Sequence, residues 1–268
     1  MAFDKKGKVE IIEPNEKEGK FFWKYLDLHK LIDLIATQEL HFTRLDLFKD
    51  PIEGLSTRNL RAANLLELMN EPENVGLVNN IKGKHPNILE NHELESSFGA
   101  IKRRSQYVNC WFHGNRESMA MWNLYSNYDS VALKVNAKSL TNHLKETSEE
   151  FIEKNGFRIS LLSDKVEYLP LNPFDSNLQL QKRKYASFKK DLSYKHEQEY
   201  RLLIYANQQM AFDSNCKSYR LQIDLEKIDL EIICHPLMLK WKRNNIQILI
   251  DIFKRNISIK KSSIYLKE

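Results

Sequence analysis

Two glutamates, Glu197 and Glu199, are followed two positions later by Arg201. If residues 196–205 form a β-strand, its period of two places these three side chains on one face and the apolar side chains on the other. Two adjacent carboxyl groups disfavour double ionisation, whereas a guanidinium beside them favours it, so their protonation is tunable in the way that catalytic sites use. The alternative is a salt-bridged edge strand, because Glu and Arg often alternate on a solvated strand face.

Aromatic residues are concentrated in two segments, 109–113 and 119–125. The first ends at His113, which could act as a base or a hydrogen-bond donor at the end of a strand. The second ends at Tyr125. Aromatic side chains on a strand and the following helix could hold a flat ring of a ligand, or they could simply be core residues.

A third candidate group lies in the amino-terminal part of the chain. Tyr25 lies in a predicted strand, and residues 40–54 contain Arg44 and an Asp50-Pro51 turn. A polar turn directly after a strand is a usual place for ligand contacts on a rigid scaffold, although an ordinary turn has the same composition.

Helices and strands must position these residues, and they alternate in no regular order. Periodicity predicts strands at 21–26, 40–43, 107–112, 130–135, 157–168, 196–205, 219–223, 230–233 and near 258, and helices at 28–35, 59–69, 119–125, 137–154, 178–188 and 237–254. Residues 71–97 are rich in Asn, Pro, Gly and His and predict loops with short helical pieces. The irregular order favours a mixed α+β domain around an antiparallel or split sheet. We expect a polar lead-in over residues 1–20 and a single domain over 21–268, with a loop-rich helical insertion at about 50–105.

The composition is that of a folded globular protein. The chain has 268 residues, of which 42% are hydrophobic and 29% charged. No apolar run approaches the roughly 20 residues of a membrane-spanning helix. The first twenty residues contain several acids and no apolar stretch, so we expect no secretion signal, no membrane partner and a cytoplasmic location. The three cysteines form no CxxC pattern, which predicts neither a disulfide framework nor a zinc site.

Positive charge is concentrated near the carboxyl terminus. The net charge is +5, and residues 237–268 contain eight basic residues and two acidic ones. A second basic cluster lies at 182–190. Such patches can attract phosphate-bearing partners such as nucleic acids, although a solvated helix face has the same pattern.

Taken together, the short motifs resemble the bacterial and phage domain-of-unknown-function family 2971. The matching motifs are Lys24-Tyr25-Leu26, Leu40-His41-Phe42-Thr43, Asp50-Pro51-Ile52-Glu53, Met121-Trp122-Asn123-Leu124-Tyr125 after Cys110, and Glu197-Gln198-Glu199-Tyr200-Arg201-Leu202. The resemblance extends over residues 21–265. It departs from the family at Phe112, where the family usually has a small polar residue.

A looser resemblance is to the ADP-ribosyltransferase superfamily, in which a split β-sheet holds NAD in a cleft and a late strand opens with Glu-x-Glu. This resemblance implies that Glu199 is catalytic and that Glu197 assists it. It further implies an NAD site formed by Tyr25, Arg44, Tyr125, His113 and Arg201. Arg44 would bind the pyrophosphate, since a guanidinium fork suits phosphate oxygens. No GxGxxG or GxxxxGK[ST] sequence occurs, so a nucleotide site of the Rossmann or P-loop type is not expected.

The resemblance implies an NAD-dependent ADP-ribosyltransferase that modifies a nucleic acid or a protein, as a toxin or phage-defence effector with a neutralising partner. An alternative is a non-catalytic nucleic-acid-binding or sensor module of a defence or mobile-element system. A third is a nuclease in which Asp50, Glu53, Glu197 and Glu199 gather around Mg²⁺.

Overall fold

A computed structural model describes residues 8–50, 52–84, 86–155, 159–170, 185–206 and 215–266. The strands are β1 Val9–Ile11, β2 Phe21–Leu26, β3 Glu39–Arg44, β4 Gln106–Gly114, β5 Val131–Asn136, β6 Ser160–Lys165, β7 Glu167–Leu169, β8 Lys189–Asp191, β9 Glu199–Tyr205, β10 Ser218–Gln222, β11 Glu231–Cys234 and β12 Ser258–Lys261. The helices are α1 Leu28–Thr37, α2 Thr57–Asn70, α3 Val75–Lys84, α4 Ile88–Arg104, α5 Met119–Tyr125, α6 Ala137–Asn155 and α7 Lys240–Ile252. The chain is therefore of the mixed α+β class.

Ten of the described strands form one sheet in the order β1-β6-β9-β4-β2-β5-β11-β12, with β3 pairing with β4 and β10 pairing with β3. The central pairings are antiparallel, as expected, but β1 pairs with β6 and β11 with β12 in parallel, so the sheet is mixed. Residues Val9–Ile11 of the predicted lead-in are thus part of the sheet, because they form β1. Strand β9 lies between β6 and β4, which shows that the edge-strand alternative was wrong.

The sheet opens between β2 and β3. Strand β2 pairs with β4 at residues 112–114, whereas β3 pairs with β4 at residues 107–108. Both strands therefore diverge from β4 at residues 109–111. Side chains bridge the opening: Lys24 Nζ donates to Asn109 Oδ1 at 3.1 Å, and Asn109 Nδ2 donates to the His41 carbonyl at 2.8 Å. These contacts replace the backbone ladder that is missing there.

One face of the sheet is covered by α1, α6 and α7. These helices contribute apolar residues to the main core, namely Leu31, Leu34, Ile35, Leu140, Leu144, Ile246 and Ile250. Strand β9 adds Tyr200, Leu202 and Ile204 to this core, whereas Leu203 packs on the opposite face with Val108. The predicted period of two is therefore confirmed for residues 199–205. Local signals also act, since the Asp27 side chain caps α1 by accepting from the Lys30 amide.

Residues 71–97 were expected to be mostly loops, and this was wrong because α3 and most of α4 lie there. The physical reason is how α4 packs on α2. The buried Asn59 side chain donates to the Glu95 carbonyl at 2.7 Å, and a Cβ at Gly99 would lie 3.0 Å from the Asn59 Cβ. A close approach through a polar residue and a glycine leaves no apolar stripe for periodicity to detect.

Two further expectations were a helix at 178–188 and the absence of a membrane-spanning helix. The helix predicted at 178–188 lies mostly outside the described residues, and Ala186–Phe188 is a 3₁₀ turn. In the described ranges, no helix combines the length and the apolar character that crossing a bilayer requires.

Candidate functional site

A cavity of about 840 Å³ lies where the sheet opens between β2 and β3. Its wall contains acidic, basic and aromatic side chains from β2, α1, β4, α5 and the segments around β3, β8 and β9. The polar and aromatic residues that line it include Asp50, Glu53, Glu197, Glu199, Lys24, Lys30, Lys49, Lys190, Arg220, Trp23, Tyr25, Trp111, Tyr125 and Tyr194. A volume of this size suits a nucleotide-sized ligand.

Glu197 does not lie in a strand, contrary to the expected extended segment at 196–205. It is the last residue of a 3₁₀ turn, Leu192–Glu197, and Gln198 has φ +42° in the left-handed region before β9 begins at Glu199. This turn lets both carboxyl groups reach Lys190: Nζ lies 2.5 Å from Glu197 Oε2 and 3.1 Å from Glu199 Oε1. The two carboxyl groups therefore meet at one cation.

Arg201 and Glu53 complete a buried cluster of three carboxyl groups and two cations. Arg201 is fully buried; its Nε donates to Glu199 Oε2 at 2.5 Å, and its guanidinium also donates to Glu53. The Ser187 carbonyl accepts from Arg201 Nη1 at 2.5 Å. Arg201 is absent from the cavity lining, so it orients Glu199 and does not face a ligand.

Glu53 belongs to this cluster, although the sequence suggested it only as part of a family motif and as a possible Mg²⁺ ligand. It is 1% exposed and lies beside Gly54, whose φ of +78° belongs to the left-handed region. A Cβ at Gly54 would overlap the Leu45 side chain. Glycine therefore permits the turn that carries Glu53 under Arg201.

The two neighbouring glutamates differ in protonation. Burial and the adjacent Glu199 raise the pKa of Glu197 to about 7. Burial also opposes ionisation of Glu199, but Arg201, the proton held by Glu197 and Lys190 outweigh it and keep the Glu199 pKa well below its usual range. At mildly acidic pH Glu199 is thus a carboxylate and Glu197 a carboxylic acid.

This difference predicts a pH-dependent stability that belongs to Glu197. Between its ordinary pKa of 4.5 and about 7, the unfolded chain releases a proton that the folded protein keeps, so the free energy of unfolding falls as pH rises. Glu197→Gln removes this loss, because an amide retains hydrogen bonding and does not ionise. We therefore expect the free energy of unfolding of the variant, minus that of wild type, to increase by on the order of 3 kcal/mol between about pH 4.5 and pH 7.5.

Urea unfolding of both proteins at the two pH values measures this gain. Comparing the two proteins cancels the contribution of the histidines to the pH dependence of stability, because that contribution is the same in both. A constant difference across this pH range would contradict the assignment.

Tyrosine side chains flank the carboxyl pair. The Tyr125 hydroxyl donates to Glu197 Oε1 at 2.5 Å, and Tyr125 is 49% exposed, so one edge of its ring is available to a ligand. Tyr25 is partly buried against Trp122, with ring centroids 4.8 Å apart in an edge-to-face contact, and its hydroxyl accepts from the Ser118 amide at 2.8 Å. Both predicted tyrosines line the cavity.

Arg44 does not fit the role of a phosphate ligand in this cavity. Its guanidinium is buried and paired with Asp46, with Nε 2.7 Å from Oδ1, and it also donates to the Cys216 carbonyl. It does not line the cavity. A carboxylate two positions away is a local partner that satisfies the guanidinium within its own segment.

His113 also lies away from the cavity. Its ring contacts Phe22 and Tyr200, which belong to the main core on the helix-covered face, and its Nε2 lies 2.8 Å from the Gly19 carbonyl. Burial lowers the pKa of His113. The residue is a satisfied core histidine and is not positioned as a base at the site.

Lys190 and Lys24 are cavity residues that sequence reasoning did not select. Lys190 belonged to a basic cluster with an ordinary solvated appearance, and only the turn at 192–197 reveals its carboxylate partners. These contacts also bear on the Mg²⁺ alternative, because ammonium and guanidinium groups contact the carboxylate oxygens of Glu53, Glu197 and Glu199. In the described ranges, no group of three or more His, Cys, Asp or Glu residues is arranged to hold a metal ion.

Comparisons with known proteins bear on one segment of the chain. No curated protein and no solved structure matches the chain significantly. Tyr125, Lys190, Glu197, Glu199 and Arg201 all lie within residues 121–202, so this segment supplies most of the buried cluster. Over residues 121–202 the chain matches the family described as "Protein of unknown function (DUF2971)", which supports the family resemblance for this part of the sequence.

Proposed function

We propose that the cavity binds NAD as a substrate and that the protein transfers its ADP-ribose to a macromolecular acceptor. The observation that carries the proposal is the Glu197–Glu199 carboxyl pair in the wall of a cavity of about 840 Å³. The looser sequence resemblance to ADP-ribosyltransferases motivates the choice of NAD. The opening of the sheet between β2 and β3 also supports the proposal, because the Glu197–Glu199 pair lines the cavity at this opening.

The chemistry would be dissociation at the anomeric carbon. The bond between the nicotinamide nitrogen and the ribose breaks, its electron pair leaves with neutral nicotinamide, and the ribose becomes an oxocarbenium-like cation. A fixed carboxylate beside this carbon stabilises the developing positive charge. The acceptor then forms the new bond to the ribose and loses its proton to a carboxylate of the pair or to water.

The closeness of the two carboxyl groups bears on how they act. In glycosidases that use one carboxylate as a nucleophile and another as an acid, the groups are about 5 Å or more apart. Glu197 and Glu199 both contact Lys190, so they resemble a single unit of variable charge. This favours electrostatic stabilisation of the cation over formation of a covalent glycosyl-enzyme.

A test needs NAD, the full chain and candidate acceptors of both kinds, namely DNA, RNA and a protein lysate. We expect nicotinamide release above the buffer rate, accompanied by ADP-ribose on an acceptor in mass spectrometry. Absence of both nicotinamide release and detectable NAD binding by the folded protein would rule out this function.

The nucleic-acid-binding alternative relies on the basic carboxyl-terminal segment. In the structure, Lys242 pairs with Asp129 and Lys260 with Glu231. Three apolar residues of α7, Trp241, Ile248 and Ile252, are exposed. Their spacing of i, i+7 and i+11 places them on one side of the helix, so part of its solvent face is apolar. A nucleic-acid acceptor stays within the proposal, but this helix does not present the continuous basic stripe that would favour binding as the sole function.

A further inference from the structure

Lys24 differs from the other basic side chains that line the cavity, because Lys49 is exposed and the remaining ones pair with carboxylates. Lys30 pairs with Asp27 at 3.0 Å, Arg220 with Asp33 at 3.0 Å, and Lys190 with the glutamate cluster. Lys24 Nζ instead donates to two neutral oxygens, Asn109 Oδ1 at 3.1 Å and the Cys110 carbonyl at 3.0 Å. Within the described part of the chain, this partly buried ammonium has no carboxylate partner.

A second group at the same place lacks a partner. Trp111 is 1% exposed and lines the cavity, and its Nε1 is buried without a hydrogen-bond acceptor among the described residues. Lys24 Nζ lies 5.4 Å from the centroid of the Trp111 ring. A buried indole N–H normally finds an acceptor, and leaving it without one costs free energy.

These two groups need the same chemistry from a ligand. An ammonium has three N–H donors, of which Lys24 uses two, and an indole has one donor and no acceptor. Both therefore require oxygen acceptors, and the ammonium gains further from negative charge. Phosphate oxygens supply both features, and charge-assisted hydrogen bonds of this kind are the stronger ones.

We propose that Lys24 and Trp111 form a subsite for the phosphate groups of the small-molecule ligand, at the opening of the sheet between β2 and β3. This inference rests on the proposed function and replaces the role that the ADP-ribosyltransferase resemblance implied for Arg44. Lys24 lies in the same cavity as Glu199, so one ligand would place phosphate at the opening and its reacting carbon at the carboxyl pair. Burial lowers the pKa of Lys24 to about 8, which leaves the ammonium as the main form at neutral pH.

Calorimetric titration of the full chain with inorganic pyrophosphate and with ADP-ribose tests the subsite. Lys24→Met removes the charge while keeping the length of the side chain. We expect it to weaken binding of both probes by about 10- to 100-fold, the range that one hydrogen bond to a charged group supplies. Lys227→Met is the matched control, since Lys227 is an exposed lysine that does not line the cavity, and it should change binding by less than about threefold.

A spectroscopic readout separates direct contact from a general effect of charge. Pyrophosphate should shift the indole N–H resonance of Trp111 in ¹⁵N-labelled wild type, and this shift should be absent in the Lys24→Met variant at equal concentration. Trp111→Phe serves to assign the resonance where it folds, and Lys24→Arg should retain most of the affinity.

Three outcomes would overturn the subsite: no pyrophosphate binding by wild type, equal losses in Lys24→Met and Lys227→Met, or wild-type affinity in Lys24→Met. Failure of the proposed function gives a different result. If pyrophosphate binding depends on Lys24 but NAD is left intact, the subsite is supported and the transferase function is ruled out. If NAD is cleaved but pyrophosphate binding does not depend on Lys24, the transferase function is supported and the subsite is ruled out.

Discussion

Replacing Arg201 by Met is expected to lower the free energy of unfolding by about 3–5 kcal/mol, the usual result of removing one partner of a buried ion pair. Arg201 is fully buried and donates to Glu199, Glu53 and the Ser187 carbonyl. Without it, the two carboxyl groups keep only Lys190 as a cationic partner in this cluster. Methionine fills similar space but supplies no donor, so the cost comes from uncompensated charge.

Urea denaturation at fixed pH measures this loss, and Arg220→Met is the matched control. Arg220 also pairs with two carboxylates, Asp33 at 3.0 Å and Glu39 at 3.3 Å, but its side chain is 42% exposed. Exposed pairs contribute about 0.2–1 kcal/mol, so the control should be nearly neutral. Equal losses in the two variants would show that burial of Arg201 does not have the energetic weight assigned to it.

A double variant identifies the source of the cost. Glu53→Gln in the Arg201→Met background removes one of the two carboxylates that lost their partner. We expect the double variant to be more stable than Arg201→Met alone, because an amide is cheaper to bury than an unpaired charge. A further loss would mean that Glu53 stabilises the fold independently of Arg201.

The same burial explains which parts of the site could be predicted from the sequence. The alternation in residues 199–205 is visible because one face of β9 is apolar and enters the main core. That alternation correctly placed Glu199 and Arg201 together on the other face. It could not reveal whether the polar face was solvated or buried, since that depends on the distant segments that bring Glu53 and Ser187 to Arg201.

Glu197 shows a different limit. Its approach to Lys190 depends on the left-handed conformation of Gln198, and a non-glycine residue at φ +42° has no strong sequence signal. Glu53 contacts Arg201 across 148 positions of the chain. No spacing rule connects residues so far apart, so only the fold brings them together.

Arg44 and His113 were assigned to the site from a resemblance and from residue type, and neither shows which partner a side chain finds in the fold. A guanidinium suits phosphate and an imidazole suits proton transfer, but Asp46 and the Gly19 carbonyl already satisfy these two side chains. Lys24 has the opposite character. In the sequence it belongs to a short family motif, and only the place where β2 leaves β4 shows that its ammonium contacts neutral oxygens and, among the described residues, no carboxylate.

The largest functional effect is expected from the carboxyl pair. If the proposed transfer occurs, Glu199→Gln should lower nicotinamide release by about two to three orders of magnitude, as loss of one pre-organised electrostatic group typically does. The matched control is Glu231→Gln, because Glu231 also pairs with two lysines, Lys134 and Lys260, but does not line the cavity. Rates are compared per folded molecule, as measured by circular dichroism. Equal release by wild type and Glu199→Gln would remove Glu199 from the reaction.

Glu197→Gln separates the two carboxyl groups by their pH dependence. Lys190 and Arg201 offset two carboxylate charges of the cluster, so its net negative charge develops when Glu197 ionises. Because a negative charge stabilises the oxocarbenium-like cation, the wild-type rate should rise as pH increases through about 7. Glu197→Gln should lower the rate at alkaline pH and abolish this rise, while Glu231→Gln should keep it. A rise that persists in Glu197→Gln would assign the titration to another group and leave Glu197 as a structural partner of Lys190 and Tyr125.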